Sequence, residues 1–195
     1  NGNQTNGAGV NDYISVFQVI EARNMRHSGW DYGNTSSYVT LSFWIKSSVA
    51  QSFSGMLRTL DGTAKRWPFT TGSLSADTWT KVTKTVPGHA DLQFDENNGA
   101  GLQVYIVPFW GTGYTSPGTT YDAWGNWSDG SRSQDYTTTW YTTNNATLEI
   151  TGVQLERGKV ANDYKHQSFH DIKLECKRYY QIVRGSSSTF SPCTV

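Results

Sequence analysis

The chain has 195 residues, 16 Lys and Arg against 16 Asp and Glu, a formal net charge of zero and only 16 % charged residues. That length suits one sizeable domain, or at most two small ones. The neutral balance, with no Lys or Arg between Lys84 and Arg132, argues against nucleic acid as a partner.

Gly, Ser, Thr and Asn are frequent, but 8 Trp and 11 Tyr are incompatible with a disordered composition. Residues 1–9 read as a linker or loop of a longer protein rather than a signal peptide. Val10 to Ala22 then contains the β-rich run Tyr13-Ile-Ser-Val-Phe-Gln-Val-Ile20. From Ser37 to Ser47 the chain alternates strictly. Val39, Leu41, Phe43 and Ile45 share one face, and Tyr38, Thr40, Ser42, Trp44 and Lys46 the other, as in a half-buried antiparallel strand. Gln51 to Leu60 is a shorter strand closed by the turn signal Asp61-Gly62. Phe69 to Leu74 and Trp79 to Val86 follow as strands, the latter stopped by Pro87-Gly88.

Leu102 to Phe109 is apolar on both faces, so this strand is expected to be buried on both sides. Gly111 to Gly130 is turn-rich, and Gln134 to Thr143 is expected as an edge strand. Thr147 to Leu155 alternates until Thr151-Gly152, where the phase slips and a β-bulge is expected. One helix is predicted, capped by Ser168 with Asp171 three residues on, placing Ile172, Cys176 and Tyr179 on one face. Tyr180 to Arg184 returns to strand. Cys176 is expected as a buried free thiol, and without a CxxC pair Cys176 and Cys193 do not suggest zinc.

Many short strands, frequent turns and little helix point to an all-β antiparallel β-sandwich of jelly-roll type. Residues 10–184 make the sandwich and its short C-terminal helix, and 185–195 a flexible tail. No apolar run reaches membrane-span length, so no membrane insertion is expected.

Phe109, Trp110, Tyr114, Tyr121, Trp124, Trp127, Tyr136, Trp140 and Tyr141 lie in a stretch poor in charge. Flat aromatic faces suit the apolar side of a sugar ring, and Asp122, Asn126 and Asp129 can hydrogen-bond hydroxyls. The loop residues Tyr114, Tyr121, Asp122, Trp124, Asn126, Trp127 and Asp129 are therefore the candidate glycan contacts. The same rings would equally serve a subunit interface. The acidic loop Asp91 to Asn98 lacks the EF-hand order, and a solvated turn is expected there rather than a metal site. No cofactor is expected.

No nucleophile, base and orienting group can be assembled. His27-Ser28 has no Gly-x-Ser-x-Gly elbow. Glu21, Glu149 and Glu156 would act as glycosidase carboxylates only if folding paired two of them, and Glu149 is expected to face solvent. A non-enzyme is expected.

Four segments stand in a telling order. They are Leu41-Ser-Phe-Trp-Ile-Lys-Ser-Ser48, Trp79-Thr-Lys-Val-Thr-Lys-Thr-Val-Pro-Gly88, Gly101-Leu-Gln-Val-Tyr-Ile-Val107 and Ile150-Thr-Gly-Val-Gln-Leu-Glu-Arg-Gly158. Followed by Glu175-Cys-Lys-Arg-Tyr-Tyr180, they resemble the jelly-roll, carbohydrate-binding-module-like domains of bacteriophage tail fibres and other virion surface proteins. The resemblance covers roughly Tyr38 to Gln181. At Ala161-Asn-Asp-Tyr-Lys165 the chain departs from it, because Lys165 stands where those domains carry an acid, and the ion pair made there does not carry over.

The resemblance implies a virion structural protein, often trimeric and often facing the host. A host cell-surface glycan and other virion proteins are then the expected partners. The competing expectation is a purely architectural capsid decoration or fibre-assembly protein whose aromatic rings bury subunit contacts.

Overall fold

The structure, a computed structural model, describes residues 7–135 and 139–180. By internal contacts the chain divides into a unit Asn1–Asn162 and a unit Asp163–Val195.

The first unit is the expected all-β sandwich. Its strands are β1 (Tyr13–Glu21), β2 (Tyr38–Ser47), β3 (Ser52–Thr59), β4 (Lys65–Ser73), β5 (Thr80–Pro87), β6 (Ala100–Trp110), β7 (Gly125–Asn126) and β8 (Leu148–Arg157). One antiparallel sheet runs β1-β6-β3-β4-β7 and the other β5-β2-β8. The chain passes repeatedly from one sheet to the other.

Alternation explains the core between the sheets. Leu41, Phe43 and Ile45 of β2 are fully buried against Phe53 and Leu57 of β3, Trp67 and Phe69 of β4, and Leu102 of β6. Side chains of this size contribute about 1.5–3 kcal/mol each when fully buried. The opposite face of β2 is less exposed than a half-buried strand would be. Thr40 and Ser42 are buried too, because β2 is the central strand of its sheet. Thr40 Oγ1 donates to the Gly158 carbonyl at 2.7 Å. The expected bulge in β8 is present. Ser42 pairs with Gln154 and Trp44 with Thr151, and Gly152 takes a left-handed φ of 60°. Asp61-Gly62 forms the β3–β4 turn, with Gly62 at φ 60°.

Some expectations need correction. The sequence shows one helix, but a second, α1 (Ala22–Arg26), follows β1 directly. Five residues are too few to display helical periodicity. Tertiary contacts hold it instead: Ala22 N donates to Gly99 O at 2.9 Å and Arg23 N to Asn97 O at 3.0 Å. The described part of Gln134 to Thr143 is not strand. Thr139 to Thr143 forms a turn, with Thr143 N donating to Thr139 O at 2.9 Å, and Tyr136 lies outside the described residues.

Close packing leaves no room where α1 meets β6. A Cβ at Gly101 would sit 2.8 Å from Ala22 N, with the Ala22 Cα nearer still. Both are backbone atoms and cannot rotate away. Gly101→Ala is expected to lower unfolding stability by about 2 kcal/mol, read as a shift in the urea midpoint at unchanged slope.

β1 and β8 are the edge strands along one side of the sandwich. Between them lies an apolar groove of about 380 Å³, lined by Val16, Ile20, Ile106, Ile150, Val153 and Leu155 among others. Val16 and Val153 remain 58 % and 46 % exposed there, because no further strand covers the seam among the described residues.

In the second unit, α2 (Phe169–Lys177) starts as predicted. Ser168 Oγ accepts from Asp171 N at 3.2 Å and donates to Asp171 Oδ2 at 2.7 Å. Cys176 is exposed rather than buried, as are the other residues of this nine-residue helix, none of which is buried. Residues 181–195, including most of the expected Tyr180 to Arg184 strand, the tail and Cys193, lie outside the described residues. No described helix is long and apolar enough to cross a membrane.

Candidate binding face

The five-stranded sheet has two apolar faces. One lines the core. The other, turned away from it, carries a separate cluster of Met56, Tyr105, Val107 and Trp110, joined by Tyr114 and Trp127. Strand register builds this cluster. Tyr105 lies opposite Phe17 on one side and Met56 on the other, and Trp110 lies opposite Tyr13. The Phe17 and Tyr105 rings stack at 4.9 Å. Tyr13 meets Trp110 and Tyr114, both at 5.5 Å. Tyr13 and Phe17 are 54 % and 52 % exposed, so the cluster presents flat rings to solvent.

Arginines complete the face. The Arg58 guanidinium on β3 lies 3.8 Å from the Trp127 ring centroid. Arg132, at the end of the 3-10 turn Asp129–Ser131, lies 4.2 Å from Tyr114, 4.9 Å from Trp110 and 5.1 Å from Trp127. Asp129 orients it through a 2.7 Å ion pair. Arg66 of β4 is the cross-strand partner of Arg58 and donates to Ser131 Oγ at 3.1 Å. Burial lowers the Arg66 guanidinium from its ordinary value, although arginine stays charged in proteins. Each guanidinium–ring contact is worth about 0.5–2 kcal/mol, depending on desolvation.

The candidate contacts read from the sequence are thus separated. Tyr114, Trp127 and Asp129 gather on this outer face. Trp124 packs against the main core, and its Nε1 donates to Pro87 O at 2.7 Å. Tyr121 Oη and Ser133 Oγ share a hydrogen bond of 3.0 Å. Asp122, at φ 57°, pairs with Lys84 at 3.2 Å. Asn126 Oδ1 accepts from Lys65 Nζ at 2.8 Å. Phe109 is buried as expected, stacked on Tyr141 at 4.2 Å. Tyr13, Phe17, Arg58, Tyr105 and Arg132 were missed. The period-2 alternation of β1 was the available signal, since it puts Tyr13 and Phe17 on one face.

The acidic loop is committed to cations. Asp91 pairs with Lys65, itself only 7 % exposed, at 2.7 Å. Glu96 meets Arg23 at 3.3 Å, Arg26 at 3.2 Å and His27 at 2.8 Å, tying the loop to α1. Among the described residues no three metal-binding side chains converge. The hydrogen bond from Lys65, then its charge, lowers the Asp91 carboxyl below 3.8. The hydrogen bond with His27, then the charges of His27, Arg23 and Arg26, outweigh desolvation and lower Glu96 below 4.5.

A carboxyl depressed by folding stabilises above its unfolded pKa and loses that contribution as pH falls through the folded value. The thermal midpoint is therefore expected to hold from neutral pH to about 5 and to fall on further acidification. Glu96→Gln should flatten part of that fall in a melting series across pH.

The residues weighed for catalysis also have other partners. Glu149 pairs with Lys46 at 2.7 Å and is half-exposed, as expected. Glu156 Oε2 accepts from Asn162 Nδ2 at 2.6 Å. His27 turns to Glu96, while Ser28 Oγ donates to Met25 O at 2.7 Å. The face that remains can stack on rings and donate hydrogen bonds from guanidinium forks.

Comparison with family models, with curated proteins and with solved structures finds no match to this chain.

Proposed function

We propose that the chain is a non-catalytic glycan-recognition module of a virion surface protein, of the tail-fibre or host-facing appendage class. The observation that carries the reading is the outer aromatic face of the five-stranded sheet, where Tyr13 and Phe17 stay half-exposed over Tyr105 and Trp110 beside Trp127. The ordered strand segments that resemble phage tail-fibre domains support the virion setting. Shallow stacking gives weak affinity per site, which several copies on one particle turn into avidity.

A glycan array tests the reading. Binding to a defined set of surface glycans, weakened in Phe17→Ala, is the expected result. An array with no binding at any density would overturn it.

A second reading, an architectural virion protein, is favoured by the apolar seam between β1 and β8, with Val16 and Val153 exposed. Mass measurement in dilute solution discriminates the two. A stable oligomer that Val16→Lys and Val153→Lys dissociate, with no glycan bound, favours architecture. A monomer with glycan affinity favours recognition.

A further inference from the structure

Arg58 and Arg66 present a conflict that the fold does not resolve by itself. They are cross-strand partners on adjacent strands, and like charges directly opposite one another destabilise a sheet. By contrast Arg23 and Arg26 share Glu96, and the neighbouring Arg132 has Asp129. Among the described residues neither Arg58 nor Arg66 forms an ion pair with a carboxylate. The Nε atoms of Arg58, Arg66 and Arg132 are buried without a hydrogen-bond partner. Three guanidiniums with one carboxylate, Asp129, thus stand around Trp127 and Ser131.

We infer that this outer face recognises an acidic saccharide, with Arg58 and Arg66 receiving its carboxylate. The inference rests on the glycan reading above and names the ligand class for the same face. A guanidinium fork matches a carboxylate in geometry, and a charge-assisted hydrogen bond is roughly twice as strong as a neutral one. The anion would relieve the Arg58–Arg66 repulsion. The half-exposed rings of Tyr13 and Phe17 on the same face would take the apolar faces of neighbouring sugar units. A uronate and a sialate both supply such a carboxylate.

The test titrates the full chain with polygalacturonate, alginate, hyaluronate and polysialate, each beside its carboxyl-reduced neutral form, and with single-stranded oligodeoxythymidylate. At least one acidic polymer is expected to bind tenfold or more tightly than its reduced form, with affinity falling as salt rises. Arg58→Gln and Arg66→Gln should each lower the affinity for the acidic polymer to about that for its reduced form. Melting should show both variants folded, since the relieved repulsion offsets part of the lost Trp127 stacking of Arg58 and the lost Ser131 hydrogen bond of Arg66.

Equal binding of acidic and reduced polymers would overturn the acidic preference and leave glycan recognition standing. Binding of no polysaccharide would overturn both. Oligodeoxythymidylate bound as tightly as the best polysaccharide would mark the face as a nucleic-acid site and also overturn the inference. Arginine variants that lose neutral and acidic binding together would show a structural role only, again overturning it.

Discussion

Trp124→Ala is expected to cost the fold about 3 kcal/mol while leaving the affinity of the folded protein unchanged. The side chain is half-buried, packs against the main core and donates to the Pro87 carbonyl at 2.7 Å. Truncating a large aromatic leaves a cavity as well as lost burial, typically about 3–5 kcal/mol when burial is complete. The partial exposure brings the figure to the lower end, and the orphaned Pro87 carbonyl adds to it. Against a total stability of about 5–15 kcal/mol this is a large fraction. Urea denaturation reads the loss directly. A Trp124→Ala protein of normal stability that no longer binds glycan would place Trp124 in the contact surface and refute this assignment.

The second large effect concerns binding. Phe17→Ala combined with Tyr13→Ala is expected to weaken glycan affinity about a hundredfold, at about 1.4 kcal/mol per stacking ring. Stability should fall by no more than about 1–2 kcal/mol, since both rings are more than half exposed and each loses mainly one or two ring contacts. Isothermal titration of the parent and the double variant separates the two quantities. Unchanged affinity would move the site off this sheet.

Strand alternation made the scaffold legible. Leu41, Phe43 and Ile45 announced a core face, Leu102 to Phe109 a strand buried on both sides, and Gly152 a bulge, all as found. Alternation reports which residues share a face but not what covers that face. Thr40 and Ser42 are buried because β5 and β8 flank β2, which no local pattern reveals. Helix α1 escaped notice for a related reason, being held by Gly99 and Asn97 from a distant loop.

The site was legible only in part. Its aromatics were read from one stretch of sequence, yet the face is assembled from β1, β3, β6 and the loop before β8 by antiparallel register. Trp124 and Trp127, three residues apart, part company at β7. One turns to Pro87 and the core, the other to Arg58 and the outer surface. Composition could not separate them, because both are tryptophans in a polar turn. The charge-poor stretch after Lys84 likewise concealed a cationic face, since Arg58 and Arg66 arrive from strands earlier in the chain.

The eight tryptophans offer the most direct test of the central claim. Fragments of a bound surface polysaccharide, titrated into nitrogen-labelled protein, should shift the indole N–H resonances of Trp127 and Trp110. Those of Trp30, Trp67, Trp124 and Trp140 should stay in place. Shifts confined to the latter four, with Trp127 and Trp110 unmoved at saturation, would contradict binding at the outer face.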